Sequence, residues 1–193
     1  EEYGGQGIDD FCWVIDPLDG TTNFIRGFPV FAISIALLYK GDILIGLIYD
    51  PNRHETFEAI KGQGAFLNGK RVQVSNSDDK TSTLIATGFP FRQKGLVDKY
   101  CAIFRDVLFF AGDLRRAGSA SLDLAYVACG RCDGFFEFGL KIWDIAAGVL
   151  IVKEAGGEVS GFSDAEELFK TGNIIAGSRY VFQPLKDIIK RHI

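Results

Sequence analysis

The sequence predicts a layered α/β protein whose first half is mostly an antiparallel sheet and whose second half alternates helices with strands. Before a polar stretch at residues 75–82, apolar segments of strand length are separated by turns that contain glycine. After that stretch, segments with helical spacing alternate with short apolar segments typical of strands. We therefore expect two regions, residues 1–75 and 83–193, that together form one compact unit.

The composition is that of a globular protein with a small-molecule partner. Of the 193 residues, 47% are hydrophobic, which is enough for a buried core, and the net charge is −4. The basic residues form no stripe and no amphipathic face, so we expect neither direct nucleic-acid binding nor membrane association. No apolar run is long enough to cross a bilayer, no signal peptide is visible, and the four cysteines are too few for a disulfide scaffold. These features favour a cytoplasmic protein.

The first half begins with a predicted buried strand at residues 13–15, which the chain leaves at Asp16 because Pro17 cannot continue a sheet ladder. The predicted elements that follow are a long hairpin (28–39 and 43–49), a third strand (55–60) and a further hairpin that turns at Asn68-Gly69. Both faces of the long hairpin are apolar, so we expect helices on each side of its sheet. No helical pattern precedes Trp13, and we expect an N-terminal segment or a neighbouring subunit to cover that face.

The second half alternates predicted strands and helices. The strands are residues 84–87, 134–138, 158–160 and 173–176. The helices are a segment through Val97, Cys101, Phe104 and Leu108, one capped by Ser119 and ending at Ala128, one that Asp144 opens and Gly156-Gly157 ends, and a final one through Ile188 and Ile189. This order places the segment around Asp16 and the start of the Asp144 helix at sheet ends.

An acidic turn follows the first predicted strand. Asp16 and Asp19 lie three residues apart across Pro17 and can converge on one point, with the carbonyl of Leu18 between them. Such an oxygen-rich pocket suits Mg²⁺, Mn²⁺ or Ca²⁺. Asp-Pro and Asp-Gly pairs are also ordinary turn formers, so the pair alone does not separate a metal site from a tight connection. A third carboxylate, Asp144, at the start of a distant helix favours the metal site.

Gly20, Thr21 and Thr22 come directly after the acidic turn and resemble a helix start, whose free N–H groups suit an oxyanion. An acidic protein attracts a phosphate ester through local cations rather than through its net charge. The G-x-x-x-x-G-K match that begins at Gly64 is rejected as a P-loop, because the residue after the lysine is Arg71 rather than serine or threonine. The acidic turn and the helix start that follows it therefore predict a metal site and a phosphate site side by side.

Several of these motifs together resemble the inositol monophosphatase family, a group of Mg²⁺-dependent, lithium-sensitive phosphatases. The resemblance covers nearly all of the chain and rests on Asp16-Pro17-Leu18-Asp19-Gly20-Thr21, on Trp143-Asp144 followed by Glu154-Ala155-Gly156-Gly157, on Gly118-Ser119-Ala120 and on Asp133-Gly134-Phe135-Phe136-Glu137. It implies an α-β-α-β-α sandwich, usually dimeric, which hydrolyses a phosphorylated polyol by direct attack of a metal-activated water. The family's N-terminal helices are absent, so the chain resembles a bacterial-type member that lacks its N-terminal part.

The resemblance also implies roles for individual residues. Two or three Mg²⁺ ions would be held by Glu1, Asp16, Asp19, Asp144 and the carbonyl of Leu18. Thr21, with Glu1, would orient the water, and the amides of Gly20 and Thr21 would bind phosphate. Substrate hydroxyls would meet Asp19, Glu137, Asp144 and the Gly118, Ser119 and Ala120 loop, with Arg115 on the substrate side. Glu2 is an alternative to Glu1 as the ligand.

Three alternatives stay open. Myo-inositol 1-phosphate is the expected substrate, although fructose 1,6-bisphosphate or another sugar or nucleotide phosphate suits a site of the same kind. A haloacid-dehalogenase-type phosphatase has a D-x-D-G-T motif one residue shorter, and there the first aspartate is a nucleophile. A regulatory binding protein that keeps the fold without turnover is the third alternative.

Overall fold

The first half of the chain forms a six-stranded sheet. A computed structural model describes residues 10–193, so the predicted ligands Glu1 and Glu2 lie outside the described residues. The strands are β1 (Phe11–Asp19), β2 (Ala32–Tyr39), β3 (Asp42–Asp50), β4 (Glu55–Ile60), β5 (Gly64–Leu67) and β6 (Lys70–Val72), with a short helix α1 (Thr21–Ile25) after β1. Neighbours in the sequence are neighbours in the sheet, and every pair is antiparallel. The predicted antiparallel first half is confirmed.

The second half contains a mixed five-stranded sheet and the longer helices. Its strands are β7 (Leu84–Thr87), β8 (Asp113–Arg115), β9 (Gly134–Glu137), β10 (Glu158–Ser160) and β11 (Ile174–Gly177), in the order β10-β11-β9-β7-β8. Its helices are α2 (Val97–Phe110), α3 (Ala120–Ala128), α4 (Ile142–Glu154), α5 (Leu168–Thr171) and α6 (Phe182–Lys190). The predicted alternation is confirmed. The sequence reasoning missed β8 and α5, which are only three and four residues long.

The helices α3 and α4 lie between the two sheets. They contact β2 and β3 of the first sheet and β11 of the second, and one continuous apolar cluster joins residues from both halves of the chain. On the other face of the second sheet, α2 and α6 pack against Ile85, Phe136 and Ile175. From residue 10 onwards the layers therefore run sheet, helices, sheet, helices. No helix in this part of the chain is long and apolar enough to span a membrane.

On the outer face of the first sheet, the prediction that residues 13–15 form a buried strand is only partly right. Residues 13–15 were expected to be buried, but Trp13 is 58% and Ile15 42% exposed, whereas Val14 between them is 4% exposed. Successive side chains of a strand point to opposite faces, and only the inner face contacts α4. The described residues supply no helix layer to the outer face.

The prediction that the first strand ends at Asp16 is wrong, because β1 continues through Pro17 to Asp19. The register against β2 shifts between Asp16, opposite Ser34, and Asp19, opposite Ala32. In the sheet as described, β1 is an edge strand, and an irregular edge accommodates a residue that has no N–H to donate. The bulge places both aspartates at the same end of β1.

Gly46 of β3 lets α4 approach the first sheet closely. A Cβ at this position would lie 2.7 Å from the carbonyl oxygen of Ala147 and 3.1 Å from its Cα. We expect Gly46→Ala to lower the free energy of unfolding by about 1–3 kcal/mol, because both contacts are backbone and α4 must move. Gly95→Ala is the control, since a Cβ there meets nothing within 4 Å. Urea unfolding that gives equal midpoints for the two variants would contradict this account of the packing.

Candidate metal and phosphate site

A cleft of about 500 Å³ opens where several element ends meet. Its wall includes the end of β1, all of α1 except its last two residues, the end of β9 and the first turns of α3 and α4. Helix starts carry a partial positive charge, so the starts of the two longer helices, α3 and α4, add a field that favours anions in the cleft. The layered fold thereby brings together residues that are far apart in the sequence.

Three carboxylates lie together on one wall of this cleft. Asp16, Asp19 and Asp144 each offer an oxygen within 4.8 Å of the others, and all three are buried. Buried like charges at this separation repel one another unless a cation or protons compensate them. An all-oxygen set of this kind suits a hard divalent cation such as Mg²⁺. The residues present therefore fit a metal site.

Asp19 is held rigidly by helix α3. Its Oδ2 accepts hydrogen bonds from the Ser119 hydroxyl at 2.7 Å, the Ser121 hydroxyl at 2.6 Å and the Ser121 backbone N–H at 2.9 Å. Ser119 is also the N-cap of α3, as the sequence predicted. In residues 10–193 all the hydrogen bonds to Asp19 go to this one oxygen, which leaves Oδ1 for a ligand in the cleft.

Asp144 is positioned by the start of α4. Its Oδ2 accepts from the backbone N–H of Lys141 at 2.7 Å, and the Ser34 hydroxyl of β2 donates to the carbonyl of Trp143 at 3.1 Å. These bonds fix the helix start opposite Asp16, which pairs with Ser34 in the sheet. Burial, together with the charges of Asp19 and Asp16 and against the opposing Lys141 hydrogen bond, raises the pKa of Asp144 to about 7. A bound cation would remove this penalty.

The turn from β1 into α1 supplies polar groups beside the carboxylates. The Thr21 hydroxyl donates to the Leu18 carbonyl at 2.9 Å, and the Leu18 N–H donates to Asp16 Oδ1 at 3.0 Å. Gly20 adopts the left-handed conformation, with φ of 85°, directly before the helix. The N–H groups of the first turn have no acceptor within their own helix. The predicted arrangement of Leu18, Gly20 and Thr21 is therefore compatible with phosphate next to metal.

Residues around the start of α3 form another part of the cleft wall. Asn23 of α1 donates to three carbonyls, those of Val30 at 2.8 Å, Ala117 at 2.9 Å and Gly118 at 3.4 Å. This amide fixes the loop that carries Gly118 and Ala120 against the acidic turn. Both of those residues line the cleft.

Glu137, the last residue of β9, is a buried acid on this wall. Burial and the charge of Asp19 raise its pKa to about 8, against the opposing charge of Arg116. Gly88 makes room for the carboxylate, since a Cβ there would overlap the carboxylate carbon of Glu137. A substrate hydroxyl or cation that reaches Glu137 would find an acceptor with unmet capacity.

We expect Glu137→Gln to stabilise the protein at alkaline pH. A carboxyl whose folded pKa rises from 4.5 to about 8 favours folding below pH 4.5, and that contribution is lost as the pH rises towards 8. The neutral glutamine avoids this loss, so the variant should gain a few kcal/mol, roughly, over wild type at pH 8.5 and much less at pH 5. Thermal unfolding in chelator measures the difference. The exposed Glu58→Gln is the control, and a pH-independent gain would contradict the burial argument.

The structure divides the predicted substrate residues into three groups. The cleft is lined by Leu18, Asp19, Gly20, Thr21, Gly118, Ala120, Glu137 and Asp144, together with the predicted metal ligand Asp16. Ser119 lies behind the wall and bonds to Asp19. Arg115 lies outside the cleft, where its guanidinium pairs with Asp113 and faces a neighbouring cleft.

Sequence reasoning missed other residues of the site. Arg92, Lys141 and Arg116 line the cleft, and Ser121 and Asn23 hold its walls in place. A serine in the first turn of a predicted helix could have been noted as a partner for a nearby carboxylate. Nothing in the sequence distinguishes Arg116 from its neighbour Arg115. Their different positions follow from the alternation of side chains at the end of β8.

The two-sheet fold and its carboxylate cleft are compatible with a metal-dependent phosphatase, and the family comparison supports the phosphatase superfamily. Within that class the chain belongs to the inositol monophosphatase family, whose model matches residues 1–190. It is 50% identical over 194 residues to the Nus factor SuhB of Pseudomonas aeruginosa, a match that covers 100% of this chain and 71% of that protein.

Solved structures agree with this assignment. The inositol monophosphatase from Anabaena (Nostoc) sp. PCC 7120 is similar with a TM-score of 0.92 at 38% identity, over 100% of this chain and 77% of that one. The extragenic suppressor protein suhB from Bartonella henselae is similar with a TM-score of 0.91 at 44% identity, over 95% of this chain and 72% of that one. The fold predicted from the resemblance is confirmed.

Proposed function

We propose that the protein is a Mg²⁺-dependent phosphomonoester hydrolase, with myo-inositol 1-phosphate as its first candidate substrate. The observation that carries this proposal is the convergence of Asp16, Asp19 and Asp144 beside the Gly20–Thr21 turn. Membership of the inositol monophosphatase family supports it. Fructose 1,6-bisphosphate and other sugar or nucleotide phosphates are the alternative substrates.

The chain's own residues have distinct tasks in this reaction. Asp16, Asp19, Asp144 and the Leu18 carbonyl would hold the cation, with Glu1 proposed from the resemblance alone. When bound, Mg²⁺ supplies positive charge that offsets the phosphate and eases deprotonation of the attacking water. The Thr21 hydroxyl and the first-turn N–H groups orient the water and the phosphate oxygens. Glu137 accepts a hydrogen bond from a substrate hydroxyl.

Phosphate release from a panel of esters tests the proposal. We expect release from inositol 1-phosphate in Mg²⁺ and none in chelator. Single turnover in heavy-oxygen water separates two routes, because direct attack puts the label in phosphate whereas an aspartyl intermediate puts it in a protein carboxylate. No release from any inositol, sugar or nucleotide phosphate would overturn the proposal.

Lithium sensitivity is a further expectation from the family. We expect millimolar lithium to inhibit phosphate release, and to inhibit more strongly as Mg²⁺ increases, if lithium enters a metal position that empties with product. Sodium at matched ionic strength is the control, because screening acts equally for the two salts. Equal inhibition by both ions would contradict occupation of a metal position.

A second candidate function is a binding role without turnover, prompted by relatives that carry the name Nus factor. Exposed aromatic side chains lie close to arginines in two segments, Phe24 and Phe28 on either side of Arg26 and Phe89 and Phe91 before Arg92, and would suit a macromolecular partner. The expectation that nucleic acid is not a partner therefore stays untested. A gel-shift titration with single-stranded RNA tests that partner, and light scattering tests the homodimer that we propose from the family.

A further inference from the structure

Three hydrogen-bond donors at the start of α3 converge on a single oxygen of Asp19. Its Oδ2 accepts from the Ser119 hydroxyl at 2.7 Å, the Ser121 hydroxyl at 2.6 Å and the Ser121 backbone N–H at 2.9 Å. A carboxylate oxygen has about two lone-pair positions, so three donors leave no position for a cation. The donated protons also surround Oδ2 with partial positive charge. Asp19 can therefore offer a metal ion only its other oxygen, Oδ1.

Both serines are placed so that their hydroxyls keep donating to Asp19. Ser119 is 1% and Ser121 0% exposed, so neither hydroxyl can turn to water. The Ser119 oxygen also accepts from the Leu122 N–H at 3.4 Å as the N-cap of α3, which leaves its proton for Asp19. If the carboxylate turned to offer both oxygens to a cation, these buried donors would lose their acceptor at a cost in free energy. The serines thus oppose a second metal contact by Asp19.

Backbone groups hold the other two carboxylates of the trio. The Leu18 N–H donates to Asp16 Oδ1 at 3.0 Å, and the Lys141 N–H donates to Asp144 Oδ2 at 2.7 Å. Shortening the side chain of either donor residue would leave its N–H in place. The two serine hydroxyls, in contrast, can be removed by substitution, so the way in which Asp19 meets a metal ion is open to experiment.

Divalent cations differ in how many oxygens they take from one carboxylate. Mg²⁺ requires a near-octahedral set of roughly six ligands at about 2.0–2.1 Å. Ca²⁺ takes roughly six to eight at about 2.3–2.6 Å, and it often binds both oxygens of one carboxylate. A ligand that is restricted to one oxygen therefore costs Ca²⁺ a contact that Mg²⁺ does not need.

We propose that Ser119 and Ser121 determine the cation selectivity of the site, because they keep Asp19 a one-oxygen ligand and so disfavour Ca²⁺ relative to Mg²⁺. The inference rests on the metal site of the proposed function, but it does not depend on which ester is hydrolysed. It makes the two serines positioning residues, which act through Asp19 rather than by touching metal or substrate.

Competition against Mn²⁺, followed by electron paramagnetic resonance, gives the Kd of Mg²⁺ and of Ca²⁺ for wild type and for the double variant Ser119→Ala/Ser121→Ala. In the double variant only the Ser121 N–H still donates to Oδ2, so Asp19 can turn both oxygens to the cation. We expect the ratio of the Ca²⁺ Kd to the Mg²⁺ Kd to fall by about tenfold, through tighter Ca²⁺ binding. Ser121→Ala alone keeps the N-cap of α3 and should lower the ratio by about threefold.

Two control variants separate cation selectivity from helix stability. Ser119→Thr keeps both the hydroxyl and the N-cap, so it should keep the wild-type ratio. Ser178→Ala removes another fully buried hydroxyl, which has no hydrogen-bond partner within residues 10–193 and lies outside the cleft, and it should also keep that ratio. Thermal unfolding in chelator is measured for each variant. A purely structural role of the serines would lower the Tm and leave the ratio unchanged.

A wild-type ratio in the double variant overturns the inference, as does an equal fall in Ser178→Ala. If the double variant does not fold, Ser121→Ala decides, and a wild-type ratio there overturns the inference as well. If Mn²⁺ binds but no ester is hydrolysed, the proposed phosphatase function fails while the ratio still decides the role of the serines. Absence of saturable Mn²⁺ binding to wild type would overturn both.

Discussion

Asp19→Asn is expected to lower kcat/KM for phosphate release by at least about a thousandfold, because several kcal/mol of charge stabilisation depends on the metal. The carboxylate belongs to the trio whose oxygens lie within 4.8 Å of one another. The fold should survive, since an asparagine oxygen can still accept from Ser119 and Ser121. Without metal the variant should be at least as stable as wild type, because one of three mutually repelling charges is gone.

The control for this variant is Asp133→Asn. Asp133 is 9% exposed, as is Asp19, and it accepts a hydrogen bond from the Leu84 N–H at 2.7 Å, but it does not line the cleft. We expect this change to cost stability and to leave turnover near the wild-type value. Comparable activity losses in the two variants, or substantial activity in Asp19→Asn, would show that the carboxylate trio is not the metal site.

Gly20→Ala is expected to produce the second large effect, a loss of both stability and activity. The residue has φ of 85°, and a Cβ would lie 2.8 Å from the carbonyl oxygen of Val30 and 3.2 Å from the Cα of Phe31. The strain of the left-handed conformation and these close backbone contacts should together lower the free energy of unfolding by about 2–4 kcal/mol. Because Gly20 joins the metal ligands to α1, a shift of the turn should lower kcat/KM by about a hundredfold.

Gly27→Ala separates the two contributions. Gly27 also has a positive φ, 67°, but a Cβ there meets nothing within 4 Å. In Gly27→Ala, only the strain of the left-handed conformation should lower the free energy of unfolding, by about 1 kcal/mol, and the activity should be unchanged. Thermal unfolding and phosphate release measured on both variants test this. If Gly20→Ala resembles Gly27→Ala in both measurements, the close approach at Gly20 is unimportant.

Much of the fold follows from local pattern. The alternation of apolar segments with glycine turns predicted the antiparallel sheet, and helical spacing predicted α2, α3, α4 and α6, because these signals depend on neighbouring residues. The exposure of Trp13 and Ile15 was not predictable in this way. It depends on which elements pack against β1, and a strand sequence does not specify its partners.

The candidate site, like the fold, could be predicted from the sequence only in part. A proline between two aspartates and a third aspartate at a helix start predicted a metal pocket from residue types alone, and the structure brings the three carboxylates together. The sequence did not predict contacts between distant segments, such as the hydrogen bonds from the two α3 serines to Asp19. The choice between Arg115 and Arg116 likewise required the direction of β8.

Metal binding measured directly tests the carboxylate assignment without relying on any substrate. Mn²⁺ titrated into the protein at pH 8, followed by electron paramagnetic resonance, should show saturable binding that Mg²⁺ displaces. The assignment predicts that Asp19→Asn and Asp144→Asn weaken this binding by at least about tenfold, while Asp133→Asn binds as wild type does. Equal Mn²⁺ affinity in wild type and in both site variants would contradict it.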